Sequence, residues 1–389
     1  MKIIAFYVGQ YPEGFSPMSR RLHYYMKALH QKGVIVEIVM PSPHLKENGV
    51  YDGVHYSFVD APVKSRFNGY KIDRIYTSIC GELSKRCDVL LVDGTSYGCL
   101  KRIPKIVHAN GGKVVTEINE NPGSIRGRRL DTCLSLKIKR YIFLHRAVPN
   151  YDGFIVISHS LEELLNQFKN AKAVITRIPI LSGTNQITSA YNPQPMDGIP
   201  YILHAGALNE QKDGVLAMLQ AFAIAYKHFG GRLKFFFTYK KGFPKLMRQI
   251  DKIISENHLE NAVQFLGILS NDELEKLRAN SAMAIVNKPS NFQNDYNFPT
   301  KLSEILPARV PLIVTQTGEL GFYFRDGENA FVVEANNVAQ IAEKIIYIIE
   351  HPREVELVTA RGQKMSNKEF YYGNYADQLC DFFETVYKK

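Results

Sequence analysis

The chain has 389 residues, 45% of them hydrophobic and 22% charged, a length that exceeds one ordinary core and predicts two domains. No window nears about 18 uninterrupted apolar residues, which argues against a transmembrane helix. Five scattered cysteines with no CxxC pair argue against zinc and disulfide frameworks and fit a reducing cytoplasm. The formal net charge of +10 bears on partners: a nucleotide diphosphate, an anionic membrane face or nucleic acid.

Residues 3–8 (IIAFYV) read as a first strand rather than a signal peptide. The loop GQYPEGFSPMS follows, then a helix from about residue 20 with Leu22, Tyr25, Met26 and Leu29 as its buried stripe and Gly33 at its end. Further strands are expected at 34–40, 88–92, 113–118 and 153–157. Over 183–199 the apolar periodicity stops in a polar stretch with two prolines and two glycines, which reads as a linker. The alternation resumes at 200–205 and continues through 233–238, 262–266, 283–287, 310–314 and 330–333, with a capping-box pattern at Ser270–Glu273. Residues 370–387 read as an amphipathic helix.

This alternation predicts an α/β fold of two parallel-sheet domains facing across a cleft. The expected divisions are 1–185 for the first domain, 186–199 for the linker, 200–369 for the second domain and 370–389 for the terminal helix. Open sheets of this kind bind ligands at the carboxyl ends of their strands.

Four places carry candidate chemistry. The first loop brings Gly9, Gly14, Ser16 and Ser19 to a helix carrying Arg20 and Arg21, an anion or sugar site or an ordinary βα loop. No GxGxxG is present, so a dinucleotide fingerprint is lacking. In LHAGALNEQKDG, Gly206 permits close backbone approach, and Lys212 stands at a helix start, the wrong sign for the helix dipole unless a phosphate sits there. A solvated lysine is the plainer reading. In NFPTKLSEIL, Pro299 sets a turn, Thr300 is the expected N-cap, and Lys301 and Glu304 share a face. Glu304 is placed to accept a ribose diol, or it forms a surface pair with Lys301 worth roughly 0.3–0.5 kcal/mol. The loop TQTGELG after the strand 310–314 is a weaker ligand-side candidate.

Taken together these pieces resemble the retaining GT-B glycosyltransferases of family 4. The resemblance rests on Gly206-Ala-Leu208 with Lys212-Asp213-Gly214, Phe265-Leu266-Gly267 before Ser270–Leu274, Phe298–Glu304, and Asp326–Ala330, in that order, with the looser GFSPMSRR loop and Glu117–Pro122 in the first half. It implies a nucleotide-diphosphate sugar as donor substrate held mainly by the second domain, no further cofactor, a first domain that holds the acceptor, and a terminal helix that crosses back to that first domain. Lys212 would contact the diphosphate and Glu304 the ribose, as catalytic-site residues. Gly206, Gly267, Ile268, Pro299, Thr300, Lys301 and Leu302 would line the donor, and Gly14, Ser16, Arg21 and Glu120 the acceptor. The family pattern places a first glutamate where this chain has Tyr296, and an arginine near Ala207 is also missing. Lys212, with Lys301, would then carry more of the diphosphate charge.

The expected reaction is metal-independent transfer with retention, by front-face attack in which the leaving phosphate takes the acceptor proton. Its setting would be surface polysaccharide or glycoconjugate synthesis. His108 is an acceptor-side candidate, though a surface histidine on a helix is the plainer reading. Residues 101–146 hold eleven Lys and Arg with interleaved apolar residues. They suit an anionic inner membrane face and a lipid-linked acceptor, or form a solvated basic helix. No nucleic-acid recognition motif is visible. A GT-B-shaped nucleotide-sugar epimerase and a non-catalytic carbohydrate-binding homologue are the alternative functions.

Overall fold

The computed structural model describes residues 1–12, 16–44, 46–62, 69–121, 130–185, 193, 195–238 and 244–389. Two compact units emerge: Met1–Gly183 with Tyr372–Lys389, and Thr184–Tyr371. Most of the expected linker 186–199, and Gly14, lie outside the described residues.

The first unit is built on eight strands: β1 (Lys2–Tyr7), β2 (Ile35–Ser42), β3 (Gly49–Tyr51), β4 (Val54–Asp60), β5 (Val89–Asp93), β6 (Lys113–Ile118), β7 (Gly153–Val156) and β8 (Val174–Arg177). They run in the order β3-β4-β2-β1-β5-β6-β7-β8. All neighbours are parallel except the β3–β4 hairpin. β5 is buried along its whole length, as expected of a parallel strand covered by helices on both faces. The order reverses at β1, which pairs with β2 on one side and β5 on the other, so Tyr7 and Asp93 end side by side at the switch point.

The helix Pro17–Gln31 begins three residues earlier than its apolar stripe suggests. Ser16 caps it by accepting the Ser19 N–H at 3.1 Å, and Pro17 occupies the first turn. The terminal helix Ala376–Lys388 belongs to this unit. It buries Leu379, Phe382, Phe383 and Val386. Gly153 in β7 makes room for it: a Cβ there would lie 2.8 Å from the Phe382 ring.

The second unit carries β9 (Tyr201–His204), β10 (Lys234–Phe237), β11 (Val263–Phe265), β12 (Met283–Val286), β13 (Leu312–Thr315) and β14 (Phe331–Val333). The order is β11-β10-β9-β12-β13-β14, all parallel. Phe222, Phe235, Phe237, Ile285, Ile313 and Ile345 share its core. The order reverses at β9, between β10 and β12, which sets the ligand-side crevice at His204 and at the residues following Val286.

Strands β3, β4 and β8 have no counterpart in the sequence expectations. β4 (VHYSFVD) is half-exposed over most of its length, and β3 is only three residues long. Neither presents the continuous apolar run that marks the central strands.

Candidate functional site

The crevice of the second unit is assembled by backbone devices before any charge is considered. After β9 the chain turns at Gly206 (φ +117°), whose N–H donates to Thr238 Oγ1 at 3.1 Å. Asn209 caps the short helix Glu210–Asp213 by accepting the Lys212 N–H at 3.0 Å. Gly214 (φ +54°) then separates that helix from Val215–His228. A Cβ at Gly214 would fall 2.2 Å from Asn287 Nδ2. Instead the Asn287 amide donates to the Gly214 carbonyl at 3.0 Å and to Asn336 Oδ1 at 2.9 Å. Asn291 and Asn294 donate to the Gln211 carbonyl at 2.8 and 2.9 Å. These amide contacts fix Lys212 and Asp213 in place.

Asp213 is the electrostatic centre. Its Oδ1 lies 3.3 Å from Lys288 Nζ and 3.3 Å from Lys301 Nζ. Burial pushes its carboxyl up, but the two ammoniums outweigh burial and hold it well below the usual carboxylate range. Burial pushes the Lys288 amine down to about 8, against the pull of Asp213. His204 is buried, and burial with the Lys301 charge pushes it down to about 3. It is therefore neutral, and Asp213's charge is left to the lysines. The cavity beside His204, about 10 Å³ and also lined by Arg278 and Lys301, is too small for a substrate group. Two lysines thus share one aspartate, and Lys212 stands next to it in the same short helix.

The stretch Phe298–Glu304 departs from its sequence reading. Thr300 does not cap a helix: the regular turn is only Leu302–Ile305, it follows Lys301, and no side chain caps it. The Thr300 carbonyl accepts the Ser303 hydroxyl at 2.8 Å. Lys301 and Glu304 do not pair with each other; Lys301 meets Asp213, and Glu304 meets Arg278. Leu302 is wholly buried and its N–H donates to the Pro299 carbonyl at 3.2 Å, so it serves the core rather than a ligand. Pro299 is buried too. Gly267 and Ile268 follow β11, with Ile268 87% exposed. The loop TQTGELG braces the site: Thr315 Oγ1 accepts the Lys288 N–H at 3.1 Å, and Thr317 Oγ1 donates to the Lys288 carbonyl at 2.6 Å.

In the first unit Ser16 is exposed at its helix start. Arg21 does not face a ligand. It is 3% exposed and spends its guanidinium on Glu117 and on the carbonyls of Ile178 and Pro179. Glu117 also accepts from the Tyr25 hydroxyl at 2.7 Å. Glu120 is half-buried just beyond β6. His108 pairs with Asp152 at 2.8 Å, near the starts of β6 and β7, which is the edge opposite the ligand side; it is the surface histidine of the plainer reading.

Lys288, Arg278 and Asp93 are site or near-site residues that local patterns did not single out, and Asp213 was named only within the piece Lys212-Asp213-Gly214. Their one sequence signal is position: Asp93 and Lys288 stand at, or just past, the carboxyl ends of apolar strands.

Two parallel-sheet units joined in one chain, with the terminal helix returning to the first, form the GT-B fold. Sucrose-phosphate synthase from Thermosynechococcus elongatus superposes with a TM-score of 0.75 at 14% identity, over 100% of both chains. HepE from Anabaena, in complex with UDP and glucose, superposes with a TM-score of 0.69 at 13% identity, over 98% of this chain and 99% of that one. Residues 194–365 match the family model for glycosyl transferases group 1. An uncharacterized glycosyltransferase of Methanocaldococcus jannaschii is 26% identical over 60% of this chain and 60% of its own length. The family match thus covers 172 of the 389 residues, all within the second unit of the chain.

Proposed function

We propose that the protein transfers a sugar from a nucleotide-diphosphate donor to a glycan or lipid-linked acceptor, with retention and without a metal ion, in polysaccharide or glycoconjugate synthesis. The observation that carries this reading is the pairing of Lys288 and Lys301 with the one carboxylate of Asp213, beside Lys212, at the switch point of the second unit. Two ammoniums against one carboxylate leave an excess of positive charge where a departing diphosphate gains negative charge. Fixed cations there stabilise the transition state. Glu304 lies one short turn from Lys301 and is assigned to the ribose hydroxyls. The UDP in the HepE structure makes uridine the first base to try.

The test is a panel of nucleoside diphosphates in a melting assay, followed by donor turnover with and without EDTA. One diphosphate is expected to raise the melting temperature, and the matching sugar donor to be consumed equally with EDTA present. Loss of turnover in EDTA removes metal independence, and no shift with any nucleotide removes the donor site.

A further inference from the structure

Lys288 is a lysine in an unusual place. It follows β12 by two residues, is 6% exposed, and has its backbone pinned on both sides by Thr315 and Thr317. Lysines this buried are rare unless paired. Its partner is already shared, because Asp213 Oδ1 meets Lys301 at the same 3.3 Å. The charged and titratable groups facing it are Asp213 and Lys212 from the helix Glu210–Asp213, Lys301 from the turn before Leu302–Ile305, and neutral His204 from β9. One carboxylate oxygen is thus divided between two ammoniums.

We propose that Lys288 is a charge-regulating positioning residue of the donor site: held with Lys301 on Asp213, its amine gains a proton when a nucleoside diphosphate binds and releases it when the diphosphate leaves. This rests on the donor-site reading above. The geometry provides the coupling, since an anion near Lys212 and Lys301 relieves the crowding of like charge that disfavours an ammonium at Lys288. Burial already pushes that amine down to about 8, so near this pH the ligand-free protein divides between amine and ammonium. The diphosphate draws it to the ammonium, and the proton comes from solvent. Transfer of the sugar passes the acceptor's hydroxyl proton to the leaving phosphate, and once that proton is lost to solvent the diphosphate carries one more negative charge than the donor did. The fully charged lysine set meets that species, and deprotonation after release resets the site.

The experiment is calorimetric titration of the full chain with UDP, with ADP and GDP in parallel, at pH 8 in two buffers of different ionisation enthalpy. The wild type is expected to take up about half a proton on binding. Lys288→Arg, which stays charged, is expected to bind without that uptake and with affinity that no longer changes between about pH 7 and 9. Lys288→Met is expected to bind roughly tenfold more weakly, also without uptake. Should Lys288→Met fail to fold, Lys288→Arg alone decides. If Lys288→Arg takes up as much proton as the wild type, the inference falls while the donor site stands. If none of the three nucleotides binds the wild type, the donor reading falls and takes the inference with it.

Discussion

At the scale of single residues, one lysine and two carboxylates make separable claims. Lys212 has its backbone capped by Asn209 and its place fixed by the Asn291 and Asn294 contacts to the neighbouring carbonyl, so removing its side chain leaves the frame intact. Lys212→Ala is expected to lower turnover by about 10²–10³-fold with the melting temperature unchanged; equal turnover would remove Lys212 from the diphosphate. Glu304 is less simple, because Arg278 is buried against it. Truncating Glu304 would strand that charge and mix stability with binding. Glu304→Gln keeps the shape and a hydrogen-bond acceptor, and is expected to weaken nucleotide binding by a smaller factor than Glu304→Ala while melting closer to the wild type. Equal nucleotide affinity in the wild type and both variants counts against the ribose role.

Asp93 makes a pH prediction. Its Oδ1 accepts the Gly94 N–H at 2.6 Å, and Oδ2 has no partner among the described residues. Burial, then the nearby Glu117, pushes its carboxyl up to about 8. In the unfolded chain the group titrates near about 3.9. Between those values the folded state holds a proton that the unfolded state has lost. Its contribution is therefore full below about pH 4 and declines as pH rises toward 8, by at most about 1.4 kcal/mol per pH unit. Asp93→Asn is expected to flatten the fall of melting temperature across that window. An unchanged slope would mean the carboxyl is ionised in the fold.

At the scale of elements, what was legible followed from burial. Parallel strands covered on both faces read as apolar runs, so β1, β5, β6 and β12 stand close to where the sequence puts them. Half-exposed β4 and the short strands β3 and β8 carry no such run. The site was legible as residue types and illegible as pairs. The expectation that Lys301 faces Glu304 assumes a helix containing both, but the regular turn begins after Lys301. Each then finds a partner far along the chain: Asp213 is 88 residues from Lys301, and Arg278 is 26 from Glu304. No local period encodes such contacts. The terminal helix shows the same principle, since its amphipathic pattern gives a buried face but no address. Its address comes from Gly153, the gap into which Phe382 fits. Phe382→Ala is expected to destabilise the first unit by about 3–5 kcal/mol, read as faster amide exchange in β7 and β8, while nucleotide affinity stays unchanged. Exchange confined to the terminal helix itself would show that the helix does not support the sheet.

At the scale of the whole molecule, the net charge of +10 acts through where it lies. The helix Leu130–Ile142 exposes Leu134 (60%), Ile138 (51%) and Tyr141 (60%), four and then three residues apart and so along one side. Lys137, Lys139 and Arg146 are exposed nearby. The alternative of a solvated helix with a normal core stripe requires such apolar residues to be covered, and these three are not. An apolar stripe beside cations suits the surface of an anionic bilayer, where each well-placed cation contributes about 1 kcal/mol. No helix among the described residues is long and apolar enough to cross a membrane, so any membrane contact through a helix would be at the surface. The protein is expected to sediment with vesicles containing phosphatidylglycerol and not with phosphatidylcholine alone. High salt should release it, because screening removes the electrostatic share. Replacing Leu134 and Ile138 together by Glu should abolish co-sedimentation without lowering the melting temperature, since neither side chain is in the core. Equal partition into neutral and anionic vesicles, or full binding by the double variant, would return this helix to the solvated reading and leave a soluble glycan as the better acceptor.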